Sequence, residues 1–166
     1  MDGPCIPRHY GSPAVAVPGS DDPRITAFGL LLEAFSAVES AVVADLARTS
    51  HLPGPEFEVL IRLSRSPGQR LRLTELANQV RLSTSGLSRL VDRVEAAGLV
   101  RREACPSDRR GAFAVLTEEG ESALAAALPP HLESLERNVV APLGADDLAT
   151  LEGLLRRLRD GTGTPS

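Results

Sequence analysis

Residues 73–117 read LTELANQVRLSTSGLSRLVDRVEAAGLVRREACPSDRRGAFAVLT, and this stretch decides the fold. Leu76, Ala77 and Val80 give the first segment one apolar face, with Thr74 placed as an N-cap. Arg81-Leu82 is too short for anything but a tight link. Ser83 is a second N-cap candidate and opens a helix to about Ala97, which Gly98 stops. In that helix Leu87, Leu90, Val91, Val94 and Ala97 fall on one side at 100° per residue. Ser85, Ser88, Arg89 and Asp92 fall on the other, with Arg93 at its margin. Leu99–Glu103 and Ala112–Leu116 then read as short strands flanking a long tip, Cys105–Gly111.

Two short helices, a tight link and a basic hairpin suit duplex DNA. The apolar side of the second helix holds it in the domain, and the polar side reaches base edges and phosphates. Small residues near its start let backbone N–H groups meet a phosphate. Arg89 is placed for the two acceptors of a guanine, and Asp92, three residues on, is placed to orient it. Arg101 and Arg102 lie on a strand, and Arg109 and Arg110 at the tip, where a wing sets an arginine into the minor groove. Asp108 either fixes those arginines or simply forms the turn.

Charge supports this reading. Residues 62–110 hold eleven arginines against five acids, a net +6, whereas the remainder of the chain is −10 and the whole is −4. A basic middle in an acidic frame is the footprint of a nucleic-acid-binding segment. All 18 basic residues are arginine, so lysine Schiff bases and phosphate-loop lysines are excluded. Aromatics are 3%, which argues against base-stacking platforms for single strands. Cys5 and Cys105 are a hundred positions apart and form neither a zinc motif nor a disulfide framework. His9, His51 and His131 are scattered, so no metal site is expected. No Gly-x-Ser-x-Gly or phosphate loop is present, and no cofactor or enzymatic activity is expected.

Outward from the centre, residues 1–23 are a proline-rich arm. Residues 24–50 form an amphipathic helix with apolar residues at three- and four-residue steps from Ile25 to Leu46, and further ones off that stripe. A second helix covers about Glu56–Leu63, and Arg70–Leu73 alternates as a short strand. Thr117 caps a helix through Leu124 and Leu128 that Pro129-Pro130 should kink or restart. A last helix, about Asp146–Arg159, aligns Leu148, Leu151, Leu154, Leu155 and Leu158, and 161–166 is a frayed tail. The terminal helices carry more apolar surface than one small domain covers, which points to a two-fold dimer. No apolar run of membrane-spanning length is expected, nor a secretory signal, so the chain reads as cytoplasmic with no membrane partner.

The segments Leu73–Ala77, Ser83–Arg93, Glu95–Arg102 and Asp108–Thr117 resemble the MarR family of winged helix-turn-helix transcription regulators. The Asp108-x-Arg110…Val-x-Leu-Thr run is the most specific part of the match. The resemblance implies a mainly α fold: a winged helix-turn-helix domain (51–117) with a small antiparallel β-hairpin wing, flanked by dimerisation helices (24–50 and 118–160). It also implies a homodimer on a palindromic duplex operator, usually a repressor released by a small, often phenolic ligand. By position Ser83, Thr84, Ser85, Ser88, Arg89 and Arg93 match the recognition helix, and Asp108, Arg109 and Arg110 the wing. Phe28, Phe35 and Phe57 are candidates to line a ligand cavity, against the plainer role of core residues. Two alternatives are control by oxidation of an exposed Cys105, and a protein-interaction module without DNA binding.

Overall fold

The protein is described by a computed structural model covering residues 19–105 and 108–162, with backbone alone at 108–110. It falls into two units, 1–37 and 38–166.

Helix α1 (Pro23–Thr49) runs from the first unit into the second. Its early residues Ile25, Phe28, Leu30, Leu32 and Phe35 are exposed. The expectation that no run reaches membrane-spanning length is corrected here: α1 has the length and a mean hydropathy, 1.6, that would allow it to cross a membrane. From Ile25 to Val43 its charges are Glu33 and Glu39 alone. Acids within such a run are what a lipid-facing helix avoids.

In the second unit α2 (Gly54–Ser64) carries Pro55 in its first turn and buries Phe57, Val59, Leu60 and Leu63. A 3-10 turn (Pro67–Gln69) leads into β1 (Arg70–Arg72), and α3 (Leu73–Gln79) follows with no intervening residue. Arg72, still extended, is therefore the residue before the helix, and its N–H donates to the Glu75 carboxylate at 3.4 Å. Thr74 lies inside the first turn and is not the cap. Helix α4 (Thr84–Ala96) buries Leu87, Leu90, Val91 and Val94. Ala97, placed on that stripe by periodicity, is exposed because the helix ends there and Gly98 turns the chain at φ +74°.

Strands β2 (Val100–Cys105) and β3 (Asp108–Leu116) are longer than periodicity suggested. The long tip is corrected accordingly: pairing continues to Cys105 opposite Asp108, and a register shift between Ala104 and Cys105 absorbs the extra β3 residues. The sheet is antiparallel in the order β1-β3-β2. Cys105 is buried, not exposed, and the Arg72 guanidinium donates to its Sγ at 3.3 Å. Cys5 lies outside the described residues.

Thr117 caps α5 (Glu118–Leu135), accepting from Gly120 N at 3.0 Å, with three acids in the first turn where the helix dipole favours them. Helix α5 continues through Pro129-Pro130, and the irregularity falls later, in a π-helical turn (Glu136–Val140) before α6 (Ala141–Leu143). Helix α7 (Ala145–Gly161) buries none of its residues. One apolar cluster joins Leu46, α2, α3, α4, the strands and Leu124 and Ala127 of α5, so it crosses positions 50 and 117.

Beside that core sits a polar knot. Asp45, buried near the end of α1, accepts from Ser134 Oγ at 2.6 Å and Arg137 at 2.7 Å, and also pairs with Arg48. The Ser134 and Arg137 hydrogen bonds hold its carboxyl below the usual carboxylate range.

Candidate nucleic-acid interface

Ser83 caps α4 by accepting from Gly86 N at 3.1 Å, and its Oγ lies 3.2 Å from that of Ser85. The apolar stripe of α4 is held by the core, and this leaves Ser83, Thr84, Ser85, Ser88 and Arg89 all exposed. Among the described residues the Arg89 side chain makes no hydrogen bond or ion pair. The link from α3 is tight: Leu82 N donates to Ala77 O at 3.1 Å, and Arg81 sits at φ +55°.

Asp92 does not orient Arg89. Its Oδ1 instead accepts from Arg102 Nη2 at 2.6 Å. Arg102 reaches α4 from β2 by several bonds at once. Its backbone N–H donates to Glu95 Oε1 at 2.8 Å, Nη1 to Glu95 Oε2 at 2.5 Å, and Nη2 also to the Ser88 carbonyl at 3.3 Å. Its side chain is 27% exposed, and despite the opposing effect of burial its carboxylate partners raise its pKa. Arg101 pairs with Glu103 on its own strand. Of the two strand arginines read as a basic wing surface, Arg102 is therefore a tie between wing and helix. Sequence reasoning missed this role. The available signal was two carboxylates, Asp92 and Glu95, three residues apart on α4 and close in sequence to an arginine pair.

Arg93 is also tied: its Nε donates to Glu56 Oε1 at 2.9 Å, at the first turn of α2. The side chains of Asp108, Arg109 and Arg110 lie outside the described residues. Arg70 and Arg72 cover the Phe113 ring at 5.1 and 5.5 Å.

Phe57 is core, its ring 4.5 Å from that of His131, whereas Phe28 and Phe35 are 62% and 48% exposed and are not core residues of the chain. An open depression of about 490 Å³ is lined by Pro67, Gly68, Arg70, Arg101, Glu103 and Val115, and by none of the three. His131 Nδ1 is buried with no hydrogen-bond partner among the described residues, and burial lowers its pKa while Glu58 opposes the shift. Among the described residues no three His, Cys, Asp or Glu side chains group to hold a metal ion.

Residues 50–111 match the model of the MarR family. The transcriptional regulator HosA of Escherichia coli O111:H- is 30% identical over 131 residues, which cover 76% of this chain and 94% of HosA. Sco3205, a MarR family transcriptional regulator from Streptomyces coelicolor solved in complex with DNA, is 34% identical. It matches with a TM-score of 0.73 over 84% of this chain and 88% of its own. AbsC, a MarR family regulator from the same organism, is 35% identical with a TM-score of 0.73, over 87% of this chain and 97% of its own.

Proposed function

Because the chain belongs to the MarR family of DNA-binding, non-enzymatic transcriptional regulators, we propose that it binds a palindromic operator as a homodimer, represses transcription there, and is released by a small phenolic ligand. The observation that carries the DNA reading is the α4 surface, where Leu87, Leu90, Val91 and Val94 are buried and Arg89, its side chain unpaired among the described residues, stands exposed among small hydroxyl residues. In this reading Arg89 reads a base edge, and Ser83, Thr84, Ser85 and Ser88 meet phosphates and bases beside it. Arg93, shared with Glu56, adds charge toward the backbone. Asp108, Arg109 and Arg110 act in the wing on the strength of the family resemblance.

Residues 51–117 serve as the DNA-binding domain, and 24–50 and 118–160 as dimerisation segments. The exposed apolar residues of early α1, and separately Leu154, Leu155 and Leu158 of α7, support a second copy as their cover. The setting is the cytoplasm. Repression and release by a phenol rest on the family resemblance, with Phe28, Phe35 and Phe57 as candidate lining residues.

The test is selection of bound duplexes from a randomised library, followed by titration at several salt concentrations. Arg89→Ala should cost about 1–3 kcal/mol on the selected duplex and much less on a shuffled one. Equal weakening on both would confine Arg89 to phosphate. Arg110→Ala should lower affinity and make the slope of log affinity against log salt shallower by about one unit. An unchanged slope and affinity would remove Arg110 from the contacts. A library that yields no enriched duplex would overturn sequence-specific binding. Release of the selected duplex by simple phenolic carboxylates tests the ligand reading.

A further inference from the structure

Arg89 and Asp92 are one helical turn apart on the exposed side of α4, the spacing at which an arginine and an aspartate pair. They do not pair here. Asp92 is held by Arg102, which is fixed from the other side by Glu95 through both its backbone N–H and its guanidinium. Two carboxylates on α4 thus meet one cation from β2, and Arg89 is left without a partner among the described residues.

We propose that Arg102 is a positioning residue for DNA recognition: by occupying Asp92 it keeps the Arg89 guanidinium free to meet a base, and by bridging to Glu95 it sets the wing against the recognition helix. This rests on the reading of Arg89 as the base-contacting residue. The geometry suits the task. A guanidinium has five donors in a fixed fork, so it holds Asp92, Glu95 and the Ser88 carbonyl together. An ammonium is a point charge with no such fork. Once Arg102 is removed, Asp92 is the carboxylate nearest in sequence to Arg89 on that face, and the i,i+3 pair closes. Arg89 then pays desolvation and loses its partner when it enters the groove.

The experiment measures discrimination, the ratio of affinities for a duplex selected by the wild-type protein and a shuffled duplex of equal length. Arg102→Gln should lower discrimination about tenfold, within the worth of one bidentate base contact. Adding Asp92→Asn should restore most of it, because the competing carboxylate is then neutral, while Asp92→Asn alone should leave discrimination near wild type. A purely structural Arg102 gives a different pattern: the double variant is then as poor as Arg102→Gln or poorer. That result, or wild-type discrimination in Arg102→Gln, overturns the proposal. If Arg102→Gln melts below the assay temperature, Arg102→Lys takes its place, since the lone charge cannot hold both carboxylates; the same rescue by Asp92→Asn is expected, and its absence overturns the proposal. An Arg89→Ala control separates the two layers. Undiminished discrimination there overturns the base-reading role of Arg89 and this proposal with it, whereas reduced discrimination there without rescue by Asp92→Asn sinks this proposal alone.

Discussion

In α4 Leu87, Leu90, Val91 and Val94 are all buried, whereas in α7 Leu154, Leu155 and Leu158 keep 42–52% of their surface, although both helices repeat apolar residues at three- and four-residue steps. The sequence pattern is the same and the surroundings differ. Helix α4 is closed in by α2, α3 and the sheet, so its stripe completes a core within one chain. No residue of α7 is buried, so its stripe is left uncovered by the described residues of the single chain. Periodicity states that a face is apolar. It does not state which molecule covers it.

The largest test of that difference is Leu154→Ser with Leu155→Ser and Leu158→Ser. These residues already meet solvent in the single chain, so little core packing is lost. On the proposal that a second copy covers them, sedimentation should show monomers. Affinity for a palindromic duplex should fall about a hundredfold or more, because two half-sites are no longer bound as one unit. A triple variant that remains a dimer with full affinity would break the comparison and leave α7 an ordinary exposed helix.

The closed region responds differently to a single methyl group. A Cβ at Gly120 would lie 2.1 Å from the Leu99 carbonyl oxygen and 2.8 Å from Leu116 Cδ1. Backbone cannot retreat as a side-chain tip does. Gly120→Ala should therefore cost about 3 kcal/mol, at the upper end for overpacking, and lower the denaturation midpoint with no change in oligomeric state beyond unfolding. A variant as stable as the wild type would mean that α5 shifts freely against the Leu99 turn.

Much of the closed region was legible because its signals are local. The Ser83 and Thr117 caps, the Gly98 stop and the α4 stripe each depend on residues within one or two turns. The misplacements come from longer range. Thr74 reads as a cap until β1 is seen to feed α3 without a loop. Cys105 reads as an exposed wing residue until the hairpin pairs it with Asp108 and Arg72 closes over it. Of the candidate site, the exposed hydroxyls and Arg89 follow from helical spacing. The diversion of Asp92 to Arg102 does not, since an i,i+3 neighbour and a strand partner compete and only the folded geometry settles which one wins. The Asp45–Ser134 bond spans 89 positions and leaves no local trace at all.

Gly98 sharpens the contrast with Gly120. Nothing lies within 4 Å of a Cβ built there, so the position is open, but the backbone is at φ +74°. Gly98→Ala should cost about 1 kcal/mol, the ordinary penalty of the left-handed region for a residue with a Cβ. It should leave DNA discrimination intact, because α4 has already ended. A loss approaching that of Gly120→Ala would show that the turn from α4 into β2 has no room to adjust.

The smallest expected effect is at Asp45, where a buried carboxylate is answered by arginines that are largely in water: the Arg48 and Arg137 side chains are 69% and 58% exposed. Solvent screening limits what such pairs contribute. Its sign is nevertheless fixed. The hydrogen bonds from Ser134 and Arg137 depress the folded-state pKa of Asp45, while in the unfolded chain it titrates at about 3.9. The contribution is therefore fully present above the unfolded value and is lost as pH falls through the lower, folded one. Wild-type Tm should drop through this acid range. Asp45→Asn keeps an acceptor for Ser134 but cannot titrate, so its Tm should start slightly lower at neutral pH and fall less steeply below about pH 4. Melting curves of the two proteins from pH 7 to 3 decide the matter. Parallel curves over the whole range would mean that the Asp45 knot fixes the geometry of α1 against α5 without contributing to stability through its charge.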